Sequence, residues 1–163
     1  MEQIERYLSF IIDNRRFAFE AKDVMEVLID RQISQIPKAA DYIVGVVNFR
    51  GEVVTVVDTS VKFGVKNYQI KKKRIIIIIC ITVDNKLIKL GCLCDNVIRM
   101  ESIDYKDIQQ VPNFGTYYNP ELLKGVFYIE DVLYSIIDIE KIFSTDEVLI
   151  LSELNEKNEE AKQ

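Results

Sequence analysis

The stretch Tyr42-Ile43-Val44-Gly45-Val46-Val47-Asn48-Phe49-Arg50-Gly51-Glu52-Val53-Val54-Thr55-Val56-Val57-Asp58 decides the fold. Two runs dominated by β-branched residues flank Asn48-Phe49-Arg50-Gly51, a turn closed by glycine. That pattern is a hairpin, because β-branched side chains crowd a helix and pack well on a pleated sheet. The same texture continues outward. Residues 7–12 form a strand that Asp13-Asn14-Arg15 turns into Phe17-Ala18-Phe19, since Asp and Asn tolerate the left-handed backbone of a tight turn. Lys22-Asp23-Val24-Met25-Glu26 is read as a helical turn ahead of Val27-Leu28-Ile29. Residues 75–81 are a β-branched run that reads as a strand buried on both faces. Residues 87–93, 126–129 and 133–137 supply further strands, with Glu130-Asp131 at the turn of the last pair. Many short strands with frequent turns imply small barrels or a sandwich.

The second half repeats the first. Gly45-Val46 recurs as Gly125-Val126, Val56-Val57-Asp58 as Ile136-Ile137-Asp138 and Phe63 as Phe143, all at a spacing of 80 residues. The corner Ile12-Asp13-Asn14-Arg15 is echoed by Val83-Asp84-Asn85-Lys86 at a spacing of 71. An ordered series of this kind means two copies of one small β unit. Asp58 and Asp138 are placed to cap short helices reaching Phe63 and Phe143, the first stopped by Gly64. Ser144-Thr145-Asp146-Glu147 is a capping box that opens a terminal helix through Val148, Leu149, Leu151 and Leu154. The polar residues from Asn155 to Gln163 read as frayed.

With 163 residues, 48% hydrophobic and 29% charged, the chain has the size and composition of one folded unit that needs no disulfide or metal staple. Its net charge of −5 argues against a dedicated nucleic-acid binder, which needs a basic face over many phosphates. No stretch reaches ~18 uncharged apolar residues, and the start Met1-Glu2-Gln3-Ile4-Glu5-Arg6 is acidic where a signal peptide is basic. A cytoplasmic location is expected. There is no histidine, which removes the commonest general base near neutral pH and most zinc and iron sites. Cys80, Cys92 and Cys94 are too few for a structural zinc site, and Cys92 and Cys94 share a strand parity that points both into a core.

A charged turn residue such as Arg50 is ordinarily just solvated. Arginine is nevertheless the basic side chain best suited to forked pairing with a carboxylate at an interface. Lys71-Lys72-Lys73-Arg74 is either an anion or nucleic-acid patch or a solvated gatekeeper beside the isoleucine run, and an acidic chain without interleaved aromatics favours the gatekeeper. Glu26, Asp58, Glu130, Asp131 and Asp138 are the carboxylates to weigh for acid–base work, but capping and turn roles account for most of them. Tyr105, Tyr117, Tyr118 and Tyr128 read as half-buried packing with a hydrated hydroxyl.

The segment Ile33-Ser34-Gln35-Ile36-Pro37, the hairpin quoted first and the strand ending at Asp58 closely resemble the central signature of CheW-type chemotaxis coupling proteins. The strand at Leu8-Ser9-Phe10, the stretch Asp23-Val24-Met25-Glu26-Val27 and the strand Ile136-Ile137-Asp138 follow in family order, so the resemblance spans about residues 6–152. It implies a mainly β fold of two small five-stranded SH3-like β-barrel subdomains on a shared core, with short helices and a C-terminal helix. One domain over residues 1–152 is expected, divided at approximately 14–80 and 81–143 plus the N-terminal strand, with 153–163 a frayed polar tail. The implied role is not enzymatic: a scaffold that bridges the cytoplasmic tip of a methyl-accepting chemotaxis receptor to the regulatory domain of the histidine kinase CheA. No cofactor, metal, nucleic acid or direct membrane insertion is implied, and the free protein is expected to be monomeric.

Residue by residue, the resemblance places Asn48 and Arg50 at the receptor-binding side. Val24, Glu26 and Val27 match the segment lining the groove for the receptor helices, with Val97 opposite. Gly45 matches a small position whose enlargement would disturb the same surface. No kinase-contact residue is assigned. Phe49 replaces a usual Leu, Thr55 stands where proline is common and Thr59 where Leu usually follows the Asp; Thr55 restores a backbone donor. The alternative outside this family is a small β-barrel ligand-binding protein or hydrolase using Asp58 and Asp138.

Overall fold

Each of the β-branched runs forms a strand. The computed structural model describes residues 2–37, 39–62, 75–83, 85–112, 120–143 and 145–162. Phe63, Gly64, the run Lys71-Lys72-Lys73-Arg74, Asp84, Tyr117, Tyr118 and Ser144 lie outside the described residues, as do the side chains of Asp146, Val148 and Leu149. Ten strands are described: β1 (Ile4–Ile12), β2 (Arg15–Glu20), β3 (Val24–Ile29), β4 (Ile43–Phe49), β5 (Glu52–Asp58), β6 (Ile75–Val83), β7 (Lys86–Cys94), β8 (Asn96–Asp104), β9 (Leu123–Ile129) and β10 (Val132–Ile137). Two short helices, α1 (Thr59–Lys62) and α2 (Ile139–Ile142), follow β5 and β10, and α3 (Thr145–Lys162) ends the chain. The expected helical turn before β3 is a 3₁₀ turn at Ala21–Asp23, earlier than anticipated, and Val24 to Glu26 are already strand. β8 carries Val97, which the resemblance places on a second-half strand; the residue pattern alone does not mark it, because an edge strand exposed along much of its length carries no clean alternation.

The strands make two five-stranded sheets, in the orders β8-β1-β2-β10-β9 and β3-β6-β7-β5-β4. Neighbours are antiparallel except β2 with β10 and β5 with β7, which are parallel. An isolated bridge extends each sheet at equivalent places, Ser34 with Val46 and Gln109 with Val126, both through reciprocal N–H···O=C bonds of 2.8–3.0 Å. The repeat is therefore real in three dimensions, but the boundaries expected near residues 80 and 81 are not those of the sheets. The hairpin β1–β2 joins β8, β9 and β10, while β6–β7 joins β3, β4 and β5. Each half lends its hairpin to the other half's three strands. β6 runs unbroken across residues 80 and 81 and pairs with β7 from Ile75 with Cys94 to Val83 with Lys86, so no sheet boundary can fall there.

Three apolar clusters result. Leu28, Val47, Phe49, Val54, Ile76 and Leu93 fill the first barrel; Tyr7, Ala18, Phe127, Tyr134 and Ile136 fill the second. The largest cluster lies between the barrels and takes Phe10, Phe17 and Phe19 from one hairpin and Ile77, Ile79, Leu90, Cys92 and Cys94 from the other. β6 sends Ile76 and Ile78 into the barrel and Ile75, Ile77, Ile79 and Ile81 into the inter-barrel core, which is why its sequence shows no alternation. Cys92 and Cys94 are buried free thiols, and burial pushes the Cys94 thiol up to about 12. Both behave as small apolar side chains.

The tail is not frayed. α3 runs without a break from Thr145 to Lys162, anchored by Leu151 in the inter-barrel core. Further along, Asn155 and Glu159 reach the mouth of the β5–β7 seam. The Thr55 N–H donates to Asn155 Oδ1 at 2.8 Å, the Val53 N–H to Glu159 Oε2 at 2.7 Å, and Asn155 Nδ2 donates to the Lys89 carbonyl at 3.0 Å. Polar residues thus hold the helix down by meeting backbone groups where the β5–β7 ladder ends, a use that sequence polarity alone does not reveal.

Candidate interaction surface

The candidate surface is assembled from the β4–β5 turn and the edge strand β3. Phe49 pairs with Glu52, so the loop is only Arg50-Gly51, tighter than the four-residue turn read from the sequence. Both residues have positive φ, 51° and 83°, as a type I′ hairpin turn demands. Asn48 fixes the corner, its Oδ1 accepting the Gly51 N–H at 3.1 Å. Phe49 is buried beneath, and the Arg50 guanidinium lies 5.0 Å from its ring centroid.

Across from the turn, Arg50 Nη2 comes within 3.6 Å of Glu26 Oε1. The Arg50 and Glu26 side chains are 65% and 40% exposed, so this pair adds at most about 1 kcal/mol to stability and both groups stay available to a partner. Two residues 24 positions apart in sequence, each assigned to the receptor side on resemblance alone, thus meet at one rim. Val24, Val27 and Val97 are half-buried and all pack against the inter-barrel cluster, from the equivalent edge strands β3 and β8. Met25 and Ile29, at 38% and 63% exposure, are apolar side chains of β3 that the motif did not single out; Met25 is the extra residue where the register shifts between Val24 and Glu26.

Gly45 does not present itself at this surface. It is buried, and a Cβ there would stand 2.2 Å from the Ser34 carbonyl oxygen, so its role is to let the 31–36 segment close against β4. The equivalent Gly125 makes the same room, its Cβ position 3.0 Å from the Gln109 carbonyl oxygen. Asn48, Ser34 and Val53 also line a groove of about 360 Å³ with Arg31 and Gln32. Tyr105 and Tyr128 are 64% and 50% exposed, more open than the packing role expected of them.

A family model described as "CheW-like domain" matches residues 6–147. The chain belongs to the CheW-like domain family.

Among relatives, the chemotaxis protein CheW of Klebsiella aerogenes is 24% identical over 147 residues, covering 90% of this chain and 86% of that protein. The chemotaxis protein CheW of Thermotoga maritima is 29% identical over 138 residues, with 83% and 85% covered. Among solved structures, the scaffolding protein TtCheW from Thermoanaerobacter tengcongensis superposes with a TM-score of 0.75 at 25% identity, covering 89% of this chain and 96% of that one.

In this CheW-like domain the two aspartates considered for catalysis are at work elsewhere. Asp58 Oδ1 accepts the Ser60 N–H at 3.0 Å and Asp138 Oδ1 the Glu140 N–H at 3.2 Å, at equivalent starts of α1 and α2. Their backbones match too, the Asp58 N–H reaching the Tyr42 carbonyl and the Asp138 N–H the Leu122 carbonyl, both at 2.8 Å or less. Glu130 and Asp131 form the turn of the second barrel that corresponds to Arg50-Gly51, with φ of 49° and 64°. Among the described residues no group of three or more His, Cys, Asp or Glu stands where it would hold a metal ion. No described helix is long and apolar enough to cross a membrane.

Proposed function

We propose that the chain is a non-enzymatic scaffold of chemotaxis signalling that couples the cytoplasmic tip of a methyl-accepting receptor to the regulatory domain of the histidine kinase CheA. The observation that carries it is the meeting of Arg50 and Glu26 at one exposed rim, 3.6 Å apart, in a chain matched as a CheW-like domain over residues 6–147. The receptor tip would lie as helices against β3, with Val24, Val27 and Val97 supplying apolar area and Arg50, Asn48 and Glu26 fixing register at the rim. Arginine suits this position because its fork can leave Glu26 and engage a receptor carboxylate without changing charge state. The work is done in the cytoplasm, with the free protein a monomer recruited to receptor arrays.

The test is reconstitution of receptor tip, kinase and this chain, reading kinase autophosphorylation with wild type and with Arg50→Glu. Strong stimulation by wild type, lost in a folded Arg50→Glu variant and partly restored by Glu26→Arg in the same chain, is the expected result. Wild type that neither binds nor alters activity with any receptor and kinase tried would sink the proposal.

A further inference from the structure

The parallel seams of the two barrels are built alike but end differently. In the second barrel the pairs run Tyr134 with Arg16, Ser135 with Phe17 and Ile136 with Ala18. In the first they begin one pair later, at Thr55 with Leu90, although β7 continues back through Lys89 to Lys86 and β5 through Val54 to Glu52. Strand length is therefore not what stops the seam at Thr55. What stands at its mouth is α3. Asn155 engages both strands at once, taking the Thr55 N–H at 2.8 Å and the Thr55 hydroxyl at 2.5 Å on Oδ1 and giving Nδ2–H to Lys89 at 3.0 Å. One turn on, Glu159 grips the Val53 N–H, two residues from Gly51.

The packing beneath this end of the helix is open. A cleft of about 570 Å³ lies between helix and hairpin, lined by Glu52, Val53, Leu87, Lys89, Asn155 and Glu159. Leu151 anchors the earlier part of α3 in the inter-barrel core, whereas the later part is held through polar side chains. Polar contacts over an open cleft are the kind that open locally at low cost, while the buried anchor stays put.

We propose that the C-terminal half of α3 is a latch: docked, it holds the β5–β7 seam open by one pair; released, it lets Val54 and Lys89 pair as Tyr134 and Arg16 do, drawing in β5 and shifting the Arg50-Gly51 turn. The latch is a property of the free chain and stands or falls independently of the receptor. Only its consequence for receptor binding rests on the proposed function.

Amide hydrogen exchange and ¹⁵N shifts of the free full-length chain test it, comparing wild type with the double variant Asn155→Ala, Glu159→Ala, which keeps the Leu151 anchor. The latch predicts that exchange at Val53 rises about tenfold, that Thr55 stays protected by its pairing with Leu90, which puts its N–H on the Lys89 carbonyl, and that Lys89 slows about tenfold as its N–H gains the Val53 carbonyl. Shifts at Asn48, Arg50 and Gly51 move with it. Thr55→Val, which keeps the strand and loses only the hydroxyl bond, moves the same resonances part of the way. If Val53 and Thr55 open together while Lys89 and the turn stay as in wild type, α3 is only a cover and the latch is wrong.

Discussion

At the residue scale, glycines 45 and 51 separate two reasons for the same residue type. Gly51 has φ of 83° and nothing within 4 Å of where a Cβ would stand, so Gly51→Ala meets only the left-handed backbone penalty, about 1–2 kcal/mol. Gly45→Ala instead drives a methyl into the Ser34 backbone at 2.2 Å and is expected to cost about 3 kcal/mol or more. Chemical denaturation of the two variants should rank them in that order; equal losses would mean that Ser34 yields freely. Arg50→Ala, by contrast, removes an exposed pair and should shift stability by about 1 kcal/mol or less, so a larger loss of coupling in Arg50 variants is a loss of contact rather than of fold. The turn itself was legible from Asn48 and Gly51. The partner of Arg50 was not, because nothing in local sequence says which strand edge a hairpin tip will overhang.

At the scale of elements, β2, β9 and the 3₁₀ turn between β2 and β3 meet in a small charged cluster. Glu20 Oε1 accepts from Lys124 Nζ at 3.0 Å and its other oxygen lies 3.2 Å from Lys22 Nζ. Burial opposes ionisation of Glu20, but the hydrogen bonds and charges of Lys124 and Lys22 outweigh it and hold the carboxyl below its ordinary 4.5. A carboxyl lowered in the folded state stabilises the fold above that ordinary value and loses the contribution as the pH falls through the lowered one. Lys124→Met should therefore destabilise the protein by about 1 kcal/mol or less at neutral pH, and the gap to wild type should close on acidification below 4.5. Asp23, raised above 3.8 by burial and by Glu20, runs the other way and eases as it protonates, so the variant comparison, not the wild-type curve, carries the test. A gap that persists unchanged in acid would assign Lys124 a packing role. At this scale too, α3 shows the limit of composition: residues after Leu154 read as solvated tail, yet Asn155 and Glu159 satisfy backbone donors of β5.

For the whole molecule, the exchange of hairpins is the organising fact. Neither half can close its own barrel, since β1–β2 completes the sheet of β8, β9 and β10 and β6–β7 that of β3, β4 and β5. The larger core lies between the barrels and is walled by both hairpins. Unfolding should accordingly be one cooperative transition, with coincident midpoints by far-UV circular dichroism and by fluorescence of the 8 tyrosines, there being no tryptophan to report. Ile77→Ala, in the inter-barrel core, should lower stability by about 2–5 kcal/mol while leaving a single transition. Two resolved transitions would show that the barrels are separable units.

The local chemistry of the chain by itself determined the strands other than β8, their turns, the twofold repeat and the capping aspartates, because β-branched runs, Asp-Asn and Arg-Gly corners and a spacing of 80 residues act through neighbours along the sequence. Only tertiary structure decided which hairpin completes which barrel, that the polar end of α3 seals a seam, and that Arg50 stands beside Glu26. Periodicity states which face of a strand is buried but not against what. The backbone bonds of a ladder are the same whoever the partner is, so the choice falls to the packing of two hairpins around one apolar core.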